Sequence, residues 1–134
     1  MKFNELEIGM KASLEKKITI EDVVIFSEVV LDKNPVHLDE EYAKRTIFKK
    51  RIVHGMLNAG LISAVIGNKL PGNGSIYLSQ DFKFVAPVYI GEVVKVIVEI
   101  EKLDDKKKKV ILKTECYSNN KLVLTGNAEI LKLD

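Results

Sequence analysis

The chain has 134 residues, which is enough for one domain with a buried core and too few for two. Its 21 basic and 19 acidic residues leave a formal charge of +2, and it contains no tryptophan and only scattered aromatic residues. Nothing in this composition indicates a nucleic-acid-binding surface, so we expect no nucleic acid partner. We predict a single domain that spans residues 1–134.

The cysteine content and the N-terminal residues indicate the compartment. Cys116 is the only cysteine, which excludes an internal disulfide and a cysteine-based metal site, and its alternating apolar surroundings predict a buried strand residue. Residues 1–5 lack the apolar run of a signal peptide, and no segment is apolar over the length needed to span a bilayer. We therefore expect a cytoplasmic protein with no membrane partner.

The first half of the chain predicts one strand and two helices. Residues 11–18 alternate weakly between apolar and polar side chains, as a strand does. Thr19 followed by Asp22 has the spacing of a helix cap and begins an amphipathic helix. The apolar stripe of this helix comprises Val23, Val24, Phe26 and Val29. Further on, Asp39 can cap a short helix that runs through Ala43.

The second half combines one apolar helix with four strands. Residues 56–66 are apolar on nearly every side and precede Gly67, which predicts a buried helix that ends there. Four segments then alternate as strands: 75–84, 92–103, 108–118 and 122–131. An antiparallel sheet needs a cover on one face, and this helix can lie along it. We predict an α+β fold of the hot-dog type, a curved antiparallel sheet wrapped around a long central helix.

Residues 32–37 read DKNPVH and bring a carboxylate close to one of only two histidines. Pro35 fixes its own φ and pushes Asn34 out of the α region, so the first helix should end near Asp32. Asp32 and His37 would then lie on an extended turn. A carboxylate can take a proton from water while an imidazole gives one up, as the addition or elimination of water requires. The same residue types also occur in ordinary turns, so this segment alone leaves both interpretations open.

Three segments resemble one protein family over nearly the whole chain. The hydratase signature of the MaoC-like family, whose best-known members are (R)-specific enoyl-CoA hydratases, is similar to residues 26–43, which read FSEVVLDKNPVHLDEEYA. The start of that family's hot-dog helix resembles residues 52–57, IVHGML, and the likeness continues at residues 70–77, LPGNGSIY. In spacing and single-domain form, the chain most resembles the short hydratases that supply (R)-3-hydroxyacyl-CoA for polyhydroxyalkanoate synthesis.

The resemblance implies the residues that carry out the reaction. The family's catalytic Asp and His match Asp32 and His37, and the glycine whose amide contacts the thioester oxygen matches Gly55. An amide at a helix N-terminus offers a hydrogen bond and the positive end of the helix dipole to a developing oxyanion. We expect Asp32 to take a proton from water as its oxygen attacks the β-carbon, and His37 to supply the proton at the α-carbon. Without the Asp32 and His37 match, Gly55 would be an ordinary glycine at a helix start.

Three further residues are expected to support this pair. Ser63 matches a serine that the family places near the catalytic residues, where it would orient a side chain or the bound water. Its hydroxyl can equally bond the carbonyl of Ala59 one turn earlier, which would carry no function. Asn34 should fix the turn rather than contact substrate. For His54 we expect a structural role, in which a backbone hydrogen bond holds the loop before the helix.

The acyl tail is assigned to two residues. Ile66 lies about one turn beyond Ser63 on the predicted helix, and the resemblance brings Leu131 to the same region. Two branched side chains there would leave room for a tail of roughly four to six carbons, because a close-packed interior resists extra methylenes. One departure from the family stands beside the catalytic pair: the two positions before Asp32 are commonly Ser-Gly, and here they are Val30 and Leu31.

The activity expected from the resemblance is reversible hydration of a short trans-2-enoyl-CoA, such as crotonyl-CoA, to (R)-3-hydroxyacyl-CoA. No metal or other cofactor is expected, because the thioester itself acidifies the α-position. The alternatives are a hot-dog acyl-CoA thioesterase, a 3-hydroxyacyl-ACP dehydratase and a non-catalytic acyl-CoA-binding protein. A homodimer is expected, since it would pair the otherwise open edge of the curved sheet.

Overall fold

A six-stranded antiparallel sheet forms most of the computed structural model, which describes residues 1–133. In chain order the strands are β1 (Lys11–Lys17), β2 (Ser75–Gln80), β3 (Lys83–Phe84), β4 (Val93–Asp104), β5 (Lys109–Ser118) and β6 (Lys121–Lys132). They lie in the order β1-β4-β5-β6-β2, and β3 pairs with β6 beside this path. The predicted strand over residues 75–84 is therefore two strands. The break comes at Asp81, which crosses the backbone of Gly126 so closely that no side chain would fit there.

Among the described residues, four helices accompany the sheet: α1 (Ile20–Val30), α2 (Pro35–Leu38), α3 (Glu40–Lys44) and α4 (Gly55–Asn68). A short 3-10 turn covers Phe3–Glu5. Helix α4 packs against β1, β4, β5 and β6 and contributes the centre of the core. This arrangement of one long helix against an antiparallel sheet confirms the predicted α+β hot-dog fold. No helix within residues 1–133 combines the length and the apolar character that crossing a membrane requires.

The sequence predicts that helix α4 is buried on nearly every side, but in the structure one side of it is exposed. Ile62, Val65 and Ile66 are at most 1% exposed, but Met56 is 56% exposed and Gly60 and Ser63 on the same side are also exposed. The opposite side of the helix faces the sheet, so burial in the core accounts for only part of the apolar character of α4.

Cys116 occupies the predicted buried strand position. It lies on β5 with no exposed surface, and its Sγ is 3.7 Å from the main-chain oxygen of Asn58 in α4. Burial raises the pKa of this thiol to about 12, so Cys116 packs as a small apolar group and is not a nucleophile.

Candidate active site

The turn that carries the candidate catalytic residues begins where α1 ends. Thr19 caps the start of this helix, with its Oγ1 accepting a hydrogen bond from the amide of Asp22 at 3.1 Å, as predicted. At the other end Leu31 adopts a left-handed conformation, with φ of 68°, and its side chain is 78% exposed. Leu31 thus occupies the position where the resembling family commonly has glycine. The left-handed residue turns the chain out of α1 and directs Asp32 toward the start of α4.

Asn34 and Pro35 shape the next four residues. The side-chain oxygen of Asn34 accepts a hydrogen bond from the amide of Val36 at 3.2 Å, and Pro35 is the first residue of α2. Asp32 closes the turn from the other side, since its Oδ1 accepts a hydrogen bond from the amide of Asn34 at 3.2 Å. Asn34 therefore caps α2, the short helix that carries His37. Asp32 is exposed, so its carboxylate remains accessible to solvent.

A hydrogen bond defines which ring nitrogen of His37 carries the proton. Its Nδ1 lies 2.8 Å from the carbonyl oxygen of Ile52, which can only accept, so Nδ1 carries the proton and Nε2 of the neutral ring has the lone pair. Burial is the largest cause that lowers the pKa of His37, and nearby His54 lowers it too, while the bond to Ile52 and the charge of Asp32 oppose the shift. The net direction is down from the ordinary 6.5. At neutral pH His37 is therefore a neutral ring with an acceptor nitrogen.

His54 is buried beside His37 and is bonded to the other end of the turn. Its Nε2 lies 3.0 Å from Oγ of Ser27 and 3.1 Å from the main-chain oxygen of Asp32. Its ring is stacked on His37, and the ring of Phe26 meets it edge-on at 5.0 Å. His54 does make the backbone bond expected of it, but the bond holds the turn after α1 rather than the loop that precedes α4.

Ser27 contacts this site through His54, and its place there was not predicted from the sequence. It is 1% exposed and lies on the buried side of α1, one residue after Phe26 in the apolar stripe. A hydroxyl at a core-facing helical position needs a partner, and this mismatch with the stripe is the signal that could have identified it.

The three side chains meet at one cleft. Ligand atoms of Asp32, His37 and His54 all lie within 4.8 Å of one another, and Gly55, Met56 and Phe84 complete the lining of a cavity of about 240 Å³. Two imidazoles and a carboxylate at this spacing could hold a metal ion. They could equally hold one water molecule between an acceptor nitrogen and a carboxylate. The structure thus brings Asp32, His37 and Gly55 together, as the sequence predicts.

Gly55 is the first residue of α4, where helical amides have no partner within the helix. A Cβ at this position would lie only 2.6 Å from Cε1 of Phe84. Glycine is therefore required for the ring of Phe84 to pack on the helix start. Gly55 also lines the cleft that Asp32 and His37 border, so the positive end of the helix dipole lies beside that cleft.

Ser63 does not join this cleft. It lies two turns further along α4 and borders a separate cavity with Tyr77, Gln80 and Phe82, while Met56 borders both. Within residues 1–133 its hydroxyl forms no hydrogen bond, either to Ala59 or to the catalytic pair.

The two residues expected at the acyl tail do not come together either. Ile66 is 1% exposed and belongs to the hydrophobic core. On β6 the buried residues alternate with half-buried ones, and Leu131 lies on the face opposite to buried Ile130. A strand shows successive side chains to opposite faces, so Leu131 points away from the core that contains Ile66. Ile130 is the β6 residue that shares this core with Ile66.

Known proteins resemble the chain in both sequence and structure. The family model described as MaoC like domain matches residues 3–121. An (R)-specific enoyl-CoA hydratase from Rhodospirillum rubrum is 45% identical over 96% of this chain and 90% of its own length. A 3-hydroxybutyryl-CoA dehydratase from Methylorubrum extorquens is 46% identical over 94% of this chain and 80% of its length. The solved (R)-hydratase of Aeromonas caviae involved in PHA biosynthesis superposes with a TM-score of 0.93 at 42% identity, covering 96% of this chain and 98% of that one.

Proposed function

This chain belongs to the MaoC-like domain family, and on that basis we propose that it catalyses the reversible hydration of trans-2-enoyl-CoA to (R)-3-hydroxyacyl-CoA. The observation that carries this proposal is the convergence of Asp32 and His37 on one cleft beside the N-terminus of α4. One relative is named a hydratase and another a dehydratase, and these two names refer to the two directions of one type of reaction. A hydratase needs a water site, a proton carrier and an oxyanion donor, and the cleft has a residue suited to each task.

The proton steps follow from the state of His37. Its only proton is on Nδ1 and is donated to Ile52, so the proton for the α-carbon has to come from the attacking water. We propose that Asp32 takes this proton as the oxygen attacks the β-carbon, and that it reaches Nε2 of His37, which delivers it to the α-carbon. One O–H bond of water and the π bond between the α- and β-carbons break, while one C–O and one C–H bond form. The pair ends in the protonation state in which it began.

Gly55 has the third task in this proposal. Addition of the oxygen at the β-carbon moves negative charge onto the thioester oxygen, and an amide at the start of α4 can donate a hydrogen bond to that oxygen. Gly55 has no side chain beside this amide, and the ring of Phe84 packs where a Cβ would lie. No metal or other cofactor is needed in this scheme, because the thioester supplies the acidity of the α-carbon.

The substrate is proposed to be short. The catalytic cleft measures about 240 Å³, below the usual range of roughly 300–1,000 Å³ for whole-ligand pockets. A four-carbon enoyl group suits a cleft of this size, and the relative from Methylorubrum extorquens is named for a four-carbon hydroxyacyl-CoA. We also propose that the reaction takes place in the cytoplasm, where a free thiol such as that of Cys116 stays reduced.

A homodimer is part of the proposal. The two outer strands of the sheet differ: β1 reads KASLEKK, whereas β2 reads SIYLSQ and carries no charge. Charged edges resist pairing with another chain and uncharged edges favour it. Ile76 and Leu78 on β2 are 44% and 45% exposed. The exposed side of α4 borders the same cavity as Tyr77 of β2. A second copy paired at β2 would cover both surfaces.

The test is a direct assay with crotonyl-CoA. The proposal predicts loss of the conjugated enoyl absorbance, formation of the (R)-3-hydroxybutyryl thioester and no release of free thiol. Rapid release of free CoA without a hydroxyacyl product would instead identify a thioesterase, and the absence of any turnover would leave an acyl-CoA-binding protein. Crotonyl-ACP in parallel decides the carrier, and a run with EDTA that retains full activity is expected if no metal takes part.

A further inference from the structure

Three hydrogen bonds join residues 51 and 52 to residues 36 and 37. The amide of Ile52 donates to the carbonyl oxygen of Val36 at 3.2 Å, and Nδ1 of His37 donates to the carbonyl oxygen of Ile52 at 2.8 Å. In the third bond, Nε of Arg51 donates to the main-chain oxygen of His37 at 2.7 Å. One short segment therefore holds His37 both by its ring and by its main chain.

This segment is itself held in place by Tyr89. Ile52 forms an isolated antiparallel bridge with Tyr89. The hydroxyl of Tyr89 donates a hydrogen bond to the carbonyl oxygen of Phe48 at 2.9 Å, at the start of the same loop. The support behind His37 is thus fixed by contacts outside α2, the helix that carries this histidine.

The carbonyl group that Arg51 contacts lies at the end of α2. This helix has only four residues, Pro35–Leu38, and the last carbonyl groups of a helix have no partner within it. Arg51 is half-buried, and its bond has the short length of a charge-assisted hydrogen bond. Within residues 1–133 Arg51 forms no salt bridge, so its side chain serves the bond to His37.

We propose that Arg51 is a positioning residue that holds His37 in the ring orientation and the tautomer that hydration requires. Nε2 of the neutral ring accepts a proton only while Nδ1 carries the other one. Without the bond from Arg51, the end of α2 would be free to move away from Ile52, and the bond from Nδ1 would lengthen. The tautomer with its proton on Nε2 would then be populated, and that form cannot accept a proton there. This inference rests on the proposed hydratase activity and adds to it a residue that acts through His37.

The experiment separates the hydrogen bond of Arg51 from its charge. Arg51→Met places a methyl group where Nε lies, whereas Arg51→Gln places an amide nitrogen as many bonds from the main chain as Nε and carries no charge. For Arg51→Met we expect kcat with crotonyl-CoA to fall about 10- to 100-fold, because a small displacement of a reacting group is costly. Arg51→Gln should keep kcat near the wild-type value. Within residues 1–133 Arg51 does not line the catalytic cleft, so KM should change little in either variant.

Nitrogen NMR with isotope-labelled histidine gives a readout that a purely structural role would not move. At neutral pH, His37 of the wild type should show the tautomer with the proton on Nδ1. His54 should show the other tautomer, because its Nε2 faces the main-chain oxygen of Asp32, and the variant His54→Phe assigns the two signals. Arg51→Met should populate both tautomers of His37, whereas Arg51→Gln should keep the wild-type signal.

Arg45→Met is the matched control. Arg45 is the other arginine of the chain and is exposed, so its replacement should change neither kcat nor the histidine signals. If Arg51→Met does not fold, Arg51→Glu takes its place, because its carboxylate has the size of the glutamine amide and cannot donate a hydrogen bond.

Three results would overturn the role of Arg51. The first is a wild-type kcat in Arg51→Met, and the second is a lower kcat with unchanged tautomers of His37. The third is an equal loss in Arg51→Gln and Arg51→Met, which would make the charge rather than the hydrogen bond responsible.

The NMR comparison separates this inference from the proposed function. A wild type that fails to hydrate crotonyl-CoA would refute the hydratase activity, and the tautomers of His37 in the two Arg51 variants would still show whether Arg51 fixes the ring. An active wild type together with full activity of Arg51→Met would remove only the role of Arg51.

Discussion

The imidazole ring of His54 is stacked on the ring of His37, with the two centroids 3.8 Å apart and the planes 25° from parallel. The same side chain reaches the main chain of Asp32, whose carbonyl oxygen lies 3.1 Å from its Nε2. Since Nε2 is engaged there and with Ser27, it is not free to exchange protons with a substrate. From these contacts we propose that His54 is a positioning residue that holds both Asp32 and His37 in place.

Replacing His54 tests this positioning. His54→Phe keeps an aromatic ring against His37 but removes the N–H at Asp32, so we expect kcat to fall about 10- to 100-fold, as is common when a supporting hydrogen bond is lost. The pKa of His37 should rise, because His54 is one of the groups that lower it. The chain has two histidines, so NMR titration of the variant reports on His37 alone.

The control for this variant is Phe26→Leu, which alters the other side of the His54 ring without removing a hydrogen bond. Phe26→Leu should leave the pKa of His37 unchanged. If His54→Phe lowers only the melting temperature and leaves that pKa unmoved, His54 contributes to stability and does not position the pair.

Loss of either proposed catalytic group, Asp32 or His37, should nearly abolish hydration. For Asp32→Asn and for His37→Gln we expect kcat to fall by about 10²–10⁴, the range for removal of one acid or base. Asp32 is exposed, and an amide can still accept the bond from Asn34, so the fold should persist. Asp105→Asn, a change of the same type in a distant hairpin, is the control. Turnover of crotonyl-CoA near the wild-type rate by either purified variant would exclude the assigned role.

The elements that could be predicted from the sequence are those with a strong local pattern. Thr19 and Asp22 mark the start of α1, Gly55 begins α4, and the strand alternation of β4 to β6 follows burial closely. The convergence of Asp32 and His37 was also predicted, since Pro35 restricts the turn between them.

Features that depend on packing between distant segments could not be predicted. By resemblance Leu131 was expected in the same region as Ile66, but in the structure it lies on the face of β6 opposite to the core residue Ile130, and a shift of one residue reverses the side of every strand side chain. The place of Ser27 beside the apolar stripe of α1 indicates that its hydroxyl needs a partner, but that partner, His54, is 27 positions away and no local pattern identifies it. The exposure of one side of α4 could not be predicted for the same reason, because an apolar helix face does not indicate whether its own chain or another molecule covers it.

The pH dependence follows from the lowered pKa of His37. In the proposed mechanism Nε2 of His37 has to be unprotonated to receive the proton from water. Hydration should therefore be level from about pH 8 to neutrality and fall as pH decreases through the pKa of His37, which lies below 6.5. No proton is gained or lost overall, so kcat/KM for dehydration should follow the same curve. Initial rates in both directions measure this, and a rate that rises as pH falls below neutrality would show that His37 must start protonated.

Leu31 offers a stabilising substitution. A leucine in the left-handed region costs about 1–2 kcal/mol, and glycine avoids this strain but loses about 0.5–1 kcal/mol in conformational entropy. With a side chain that is 78% exposed, little packing is lost. Leu31→Gly should thus raise the free energy of unfolding by up to about 1 kcal/mol, measured by urea denaturation. Val29→Gly, at an exposed helical position two residues earlier, should lower it, and stabilisation by both changes would exclude backbone strain as the cause.

The last prediction concerns the edge of the sheet. If β2 pairs with β2 of a second copy, light scattering at micromolar concentration should give twice the chain mass of 15.1 kDa. Ile76→Lys places a charge on that edge and should shift the mass toward the monomer, because the buried lysine would have to be desolvated. Ser13→Lys on the outer strand β1 is the matched control and should remain dimeric. Activity of Ile76→Lys should fall with dissociation, since Met56 borders both the catalytic cleft and the cavity next to β2. A wild-type protein that is fully active as a monomer would contradict the proposed dimer.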